Sequence, residues 1–143
     1  MSFTTLIATD VLARHLDPDL VVVDCRFRLD DEEWGEREYA RQHIPGAVYA
    51  HLNRDLSAPA TGTNGRHPLP DPLVLAETFS RLGIGNSGGR RVQLVAYDQD
   101  NGMFASRLWW LSRWLGHEAA AVLDGGFARW LAEGRPKIGR AHV

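Results

Sequence analysis

The feature that most narrows the fold of this chain is an alternation of short apolar runs with longer segments whose apolar residues keep helical spacing. Leu20-Val-Val-Val-Asp24, Val92 to Tyr97 and Ala119 to Leu123 have the composition of strands buried on both faces, and Ala47 to Leu52 reads as a further strand. Between these runs, Asp10 to Leu16 sets Val11, Leu12 and Leu16 on one helical face, with Thr9 or Asp10 as the N-cap. Leu75, Phe79 and Leu82 recur behind Asp71-Pro72, a capping residue followed by proline at the first helical position, and Gly83 and Gly85 stop that helix. Phe104, Leu108, Leu111 and Leu115 form the stripe of the next helix, which Gly116 ends. After the turn Asp124-Gly-Gly126, Phe127, Trp130 and Leu131 lay a final helix on the sheet. Such alternation implies right-handed crossovers, hence a three-layer α/β domain with a mainly parallel central sheet and helices on both faces.

The connections are equally legible. Arg26 to Gln42 is rich in Asp, Glu and Arg and reads as a long surface excursion anchored by Trp34 and Tyr39 and ending in a short helix. His43-Ile-Pro-Gly46 is a turn, proline-punctuated Ser57 to Pro72 crosses the surface as a loop, and Asn86 to Arg90 is a polar turn. At 143 residues without internal repeats, one domain is expected. A formal net charge of -2 gives no electrostatic reason to expect nucleic acid. No apolar run is long enough to span a bilayer, and the N-terminus lacks a basic region followed by an apolar stretch, so neither membrane insertion nor export is expected. The lone Cys25 excludes an internal disulfide framework and a multi-cysteine zinc site; it fits a reducing compartment, and the cytoplasm is the plain reading. No cofactor or metal is called for.

In open parallel sheets, ligands bind beyond the carboxyl ends of the strands. Tyr97-Asp-Gln-Asp-Asn-Gly-Met103 occupies that place, and a glycine-containing loop there can turn its N–H groups into an anion cup at a helix start. Such loops commonly carry a cysteine or serine nucleophile; this one offers Asp98, Gln99, Asp100, Asn101, Gly102 and Met103. Two carboxylates in such a cup repel an anion rather than attack it. Asp98 then caps the helix or bonds the loop amides; acid-base work or a hard cation held by the two aspartates is the other reading.

Elsewhere, Cys25 follows a buried run between Asp24 and Arg26 and reads as structural. His43 reads as a hydrogen-bonding member of its turn, whereas His51 stays unassigned. Arg66 and His67 lie in Gly65-Arg-His-Pro-Leu-Pro70, a stiff basic loop that either is simply solvated or overhangs a ligand site, with Arg66 offering a fork for a carboxylate or sulfur oxyanion. Trp109, Trp110 and Trp114 either pack in the core or cover an interdomain contact.

Five segments in order, VVDCRF, HIPGAV, GRHPLP, VAYD followed by GMFASRLWWL, and VLDGGFARW, resemble the rhodanese superfamily over nearly the whole chain to about Pro136. The pattern D-x-x-x-G-x-x-A-x-R-x-W-W from Asp98 to Trp110 is similar to the N-terminal domain of tandem thiosulfate and 3-mercaptopyruvate sulfurtransferases. In that family the second domain carries the cysteine, in a C-x-x-G-x-x-A loop, and a cysteine persulfide carries sulfane sulfur from a small donor to a thiophilic acceptor. The resemblance implies that Gly102 and Ala105 match the end of that loop while Asp98 stands where the cysteine would be. It also implies that this half lends residues to a shared cleft. His67 resembles a cleft-facing histidine of the mercaptopyruvate branch, and Asn53 stands where that branch often has aspartate.

A carboxylate cannot hold a persulfide, so this chain is expected to be inactive alone and to need a cysteine-bearing partner domain. The alternative is a stand-alone, non-catalytic rhodanese-like binding module; a phosphatase would need a cysteine followed by an arginine in the loop, and neither is present. Residues 1–136 read as the domain. Residues 137–143 break the pattern, and from Ile138 onward they can be encoded by a common sequencing-adapter read, so they are expected to be a non-native tail left by truncation.

Overall fold

The computed structural model describes residues 2–87 and 90–139. Five parallel strands form the central sheet: β1 (Leu6–Ile7), β2 (Leu20–Asp24), β3 (Val48–Tyr49), β6 (Gln93–Tyr97) and β7 (Ala120–Leu123), in the order β1-β7-β6-β2-β3. Asp24 stands beside Tyr97 in the register of β2 and β6, so these two strands end together. A separate antiparallel pair, β4 (Asn86–Ser87) with β5 (Arg90–Arg91), lies where a plain polar turn was expected.

Alternating side chains feed two cores, one on each face of the sheet. Val23, Leu94, Ala96 and Ala120 point to the face covered by α3 (Pro72–Leu82) and α4 (Ala105–Trp114), where Leu75, Phe79, Leu108 and Leu111 meet them. Val22, Val95, Ala121 and Leu123 point to the other face, covered by α1 (Thr9–Arg14) and α5 (Gly126–Ala132) through Leu12, Phe127 and Trp130, with Tyr39 of α2 (Trp34–Arg41) packed alongside. Three layers result, as the alternation and the resemblance both imply. Among the described residues no helix is long and apolar enough to cross a membrane.

Asp71 caps α3 as expected, accepting from the N–H groups of Leu73 and Val74, and Gly83 closes it in the left-handed conformation at φ 87°. Two expectations need correction, and one strand was not expected. The α1 N-cap is Ala8, with no side-chain cap, rather than Thr9 or Asp10. The strand expected over Ala47 to Leu52 pairs only at Val48–Tyr49, because after Ala50 donates to the Asp24 carbonyl the chain turns around the His51 ring. The edge strand β1 carries no apolar run of its own and is held by pairing with Val122 and Leu123. Beyond Pro136, Ile138 exchanges two backbone hydrogen bonds with His43 at 2.7 and 2.9 Å, and residues 140–143 fall outside the described residues.

His117, buried after α4, approaches the Val92 carbonyl with its Nε2 at 2.8 Å, while its own carbonyl accepts from Ser112. Burial lowers its pKa, as it does for His67. A histidine whose folded pKa is depressed binds its proton more readily in the unfolded chain, so stability is full above the ordinary value of about 6.5 and falls as pH drops from there to the folded value. Urea midpoints should therefore decline as pH falls below about 6.5, and less steeply in His117→Asn.

Candidate functional site

Because every strand of the central sheet is parallel, the loops after β2, β3, β6 and β7 gather on one edge. The loop after β6 is the expected cup, and it is filled from within. Asp98 is 1% exposed; its Oδ1 accepts from the N–H groups of Asp100 (3.2 Å) and Gly102 (3.0 Å), and its Oδ2 from those of Phe104 and Ala105 (both 2.9 Å). The donors that would hold a ligand anion at the start of α4 are thus spent on a side chain of the loop itself. Gly102 permits the turn at φ 84°, and Asn101 closes it by accepting from Met103. Asp100 points outward into solvent, so the two aspartates do not form a pair that could share a proton or a cation. Among the described residues no group of three His, Cys, Asp or Glu stands together as a metal site.

Gln99 fastens this loop to the one after β2: its Nε2 donates to the Phe27 carbonyl at 2.6 Å and its Oε1 accepts from the Phe27 N–H at 3.3 Å. On the other side, the N–H groups of Phe127 and Ala128 donate to the carbonyls of Asp98 and Gln99 at 2.9 Å each. A Cβ on Gly126 would lie 2.9 Å from the Asp100 backbone, so only glycine allows that approach.

Cys25 is buried among the side chains of the first core, and burial, then the charges of Asp24, Asp98 and Asp55, push its thiol well above the ordinary value. It is a packing residue with no thiolate to offer. Its neighbours form a buried ion pair instead: Arg26 donates to Asp24 through Nε (3.1 and 2.9 Å) and Nη2 (2.6 Å), and also to the Gln42 carbonyl at 2.8 Å. Tyr97 adds its hydroxyl to Asp24 at 2.8 Å, and the Phe127 ring lies 4.3 Å below the guanidinium. Burial raises the Asp24 carboxyl, against the opposing pull of Arg26. This cluster stiffens the strand ends beneath the loops.

Above them opens a cleft of about 470 Å³ lined by Phe27, Leu29, Glu32, Asn53, Arg66 and His67 among others. It shares Phe27 and Leu29 with a shallower depression of about 370 Å³ that reaches Asp100, Met103 and Phe104. Three of the expected contact residues, Asn53, Arg66 and His67, therefore line one cavity, although the first comes from a different turn. His67 Nδ1 stands 2.9 Å from Asn53 Oδ1, and its ring meets Phe27 edge-on at 6.3 Å. Burial and then the charges of Arg107 and Arg66 lower its pKa, which keeps the ring neutral near pH 7. Arg66 is exposed and makes no hydrogen bond or ion pair among the described residues, so its fork is free for an anion. The loop stays in place because Arg107 of α4 donates to the carbonyls of Leu56 (2.9 Å) and Pro68 (3.2 Å). Leu29 and Met103, exposed by 59% and 60%, form an apolar rim, of which the sequence singled out only Met103, as part of the loop.

The other candidates are local. His43 Nδ1 sits 2.7 Å from the Tyr39 carbonyl, its ring stacked on Tyr39. Trp109 donates to the Thr4 carbonyl, while Trp110 and Trp114 stack on each other at 5.8 Å on the outer face of α4. A separate cavity of about 320 Å³ opens at the amino ends of the strands, where His15 and Gln93 bond to nearby backbone.

A parallel three-layer α/β domain with a strand-end cup closed by its own aspartate is the class that fold and site define. The rhodanese-like domain family is matched over residues 8–133, and the chain belongs to it. A probable 3-mercaptopyruvate sulfurtransferase of Pseudomonas aeruginosa is 49% identical over 131 residues, 90% of this chain and 45% of that protein. A thiosulfate sulfurtransferase of Cricetulus griseus is 33% identical over 93% of this chain and 43% of its own length. Among solved structures, a 3-mercaptopyruvate sulfurtransferase from Leishmania major superposes with a TM-score of 0.84 at 29% identity, covering 95% of this chain and 36% of that one. The Escherichia coli protein SseA gives 0.78 at 31% identity, covering 96% and 52%. The chain spans about half the length of the curated relatives it matches, or less.

Proposed function

We propose that this chain is the non-catalytic N-terminal half of a two-domain sulfurtransferase, which moves sulfane sulfur from thiosulfate or 3-mercaptopyruvate to a thiophilic acceptor through a cysteine persulfide held by a second, C-terminal domain. The observation that carries the reading is Asp98. It follows the end of β6 in the loop that carries the transferring cysteine in the family's catalytic domain, and its carboxylate consumes the amides that would bind the donor's anionic group. A carboxylate forms no persulfide, and Cys25 is buried and protonated, so the sulfur carrier has to come from outside these residues.

What this half contributes is one wall of the cleft. Arg66 supplies a cation for a small anionic donor, His67 held by Asn53 supplies a neutral imidazole, and Leu29, Met103 and Phe104 supply an apolar rim on which the partner domain closes. We take residues 1–136 as this half's rhodanese-like domain, with Ile138 tied back onto it through His43.

The coding sequence beyond Pro136 at the native locus tests the reading. An open frame that encodes a second rhodanese-like domain with a C-x-x-G-x-x-A loop supports it; a native stop codon there supports a stand-alone binding module instead.

A further inference from the structure

His67 presents one ring nitrogen to the cleft, and which nitrogen carries the proton decides whether it can accept there or only donate. We infer that Glu32 and His51 are positioning residues that fix His67 as the Nδ1–H tautomer, leaving Nε2 a bare acceptor. The inference takes from the proposed function only that His67 faces the cleft.

The argument starts at His51, which is 2% exposed. Its Nδ1 lies 3.1 Å from the Asn53 N–H nitrogen and 3.2 Å from that of Arg54, both backbone donors, so this nitrogen must be the acceptor. The ring proton therefore sits on Nε2, which donates to the Glu32 carbonyl at 3.0 Å. One buried ring thus ties the backbone of Glu32 to the backbone of Asn53, two segments far apart in sequence. With the backbones so held, the Glu32 carboxylate receives the Asn53 side-chain Nδ2–H.

That contact sets the amide. In the flipped orientation Asn53 Oδ1 would face the Glu32 carboxylate, oxygen against oxygen, which the charge forbids. Oδ1 is consequently turned to His67 Nδ1 at 2.9 Å, and an acceptor there requires the proton on Nδ1. Nε2 has no hydrogen-bond partner among the described residues, and it is the atom left to accept from a donor in the cleft. Burial and the neighbouring Arg107 and Arg66 disfavour protonation of the ring, with Glu32 the opposing charge, so the neutral tautomer is the working form.

Long-range 1H–15N correlation spectra of this chain, recorded about one and a half units above the ordinary histidine pKa, test the inference. His67 should show a protonated Nδ1 and an unprotonated Nε2, and His51 the reverse. Glu32→Ala, at an exposed position, should move the His67 Nε2 resonance toward the protonated range, whereas Glu32→Gln, whose carbonyl can still accept from Asn53, should restore the original pattern. His67 protonated on Nε2 in the unmodified chain, or an unchanged spectrum in Glu32→Ala, would overturn it. No sulfur chemistry is measured, so failure here leaves the sulfurtransferase assignment standing.

Discussion

Asp98→Ala should cost about 3 to 5 kcal/mol, because it removes a charged acceptor from four buried or half-buried amides and leaves them without a partner. The sum of four charge-assisted bonds would be larger, but the donors share one group and water can reach part of the loop. Asp98→Asn should lose nearly as much, since its amide nitrogen turns a donor toward donors. Asp100→Ala, at the exposed carboxylate two residues on, should change stability by no more than about 0.5 kcal/mol. Urea unfolding of the three variants measures the contrast. Equal losses at Asp98 and Asp100 would mean that the cup is not closed from within.

Arg26→Met is the second large effect. It strips Asp24 of its guanidinium inside the protein and leaves the Gln42 carbonyl unpaired, and breaking a buried pair from one side costs about 3 to 5 kcal/mol. For a domain whose whole stability is about 5 to 15 kcal/mol, that brings the chain near its unfolding threshold. The double variant Asp24→Asn with Arg26→Met should recover a substantial part, because the uncompensated charge is gone while Tyr97 keeps a hydrogen-bonding partner. A double-mutant cycle reads the coupling directly. Additive losses would show that the two side chains are independent despite their 2.6 Å contact.

The fold was largely legible because its signals are local and periodic. Leu20 to Asp24 and the apolar run ending at Tyr97 have lengths and branching that only an interior parallel strand uses, and Asp71-Pro72 and Gly83 punctuate α3 through backbone rules that need no tertiary context. The β1 edge was silent because two residues show no period, and β3 was overextended because nothing in Ala50 to Leu52 announces that the His51 ring will collect the next backbone amides.

The site was legible in part, for a similar reason. The missing nucleophile could be read from residue types, and Arg66, His67 and Asn53 from the resemblance, and all three line the cleft. That Asp98 bonds the loop amides was legible from its residue type and place; that Asp100 turns out to solvent was not, since direction in an irregular loop depends on which amides converge. The roles of Gln99, Glu32 and His51 were hidden too, because each bonds to a segment distant along the chain.

Intact mass of the purified chain after incubation with thiosulfate, and separately with 3-mercaptopyruvate, tests the central claim most directly. With Asp98 at the strand end and Cys25 buried and protonated, the mass should remain that of the unmodified chain and no sulfur should pass to cyanide or to a thiol. Gain of one sulfur atom on Cys25, abolished together with turnover in Cys25→Ser, would contradict the account and make this chain a sulfur carrier in its own right.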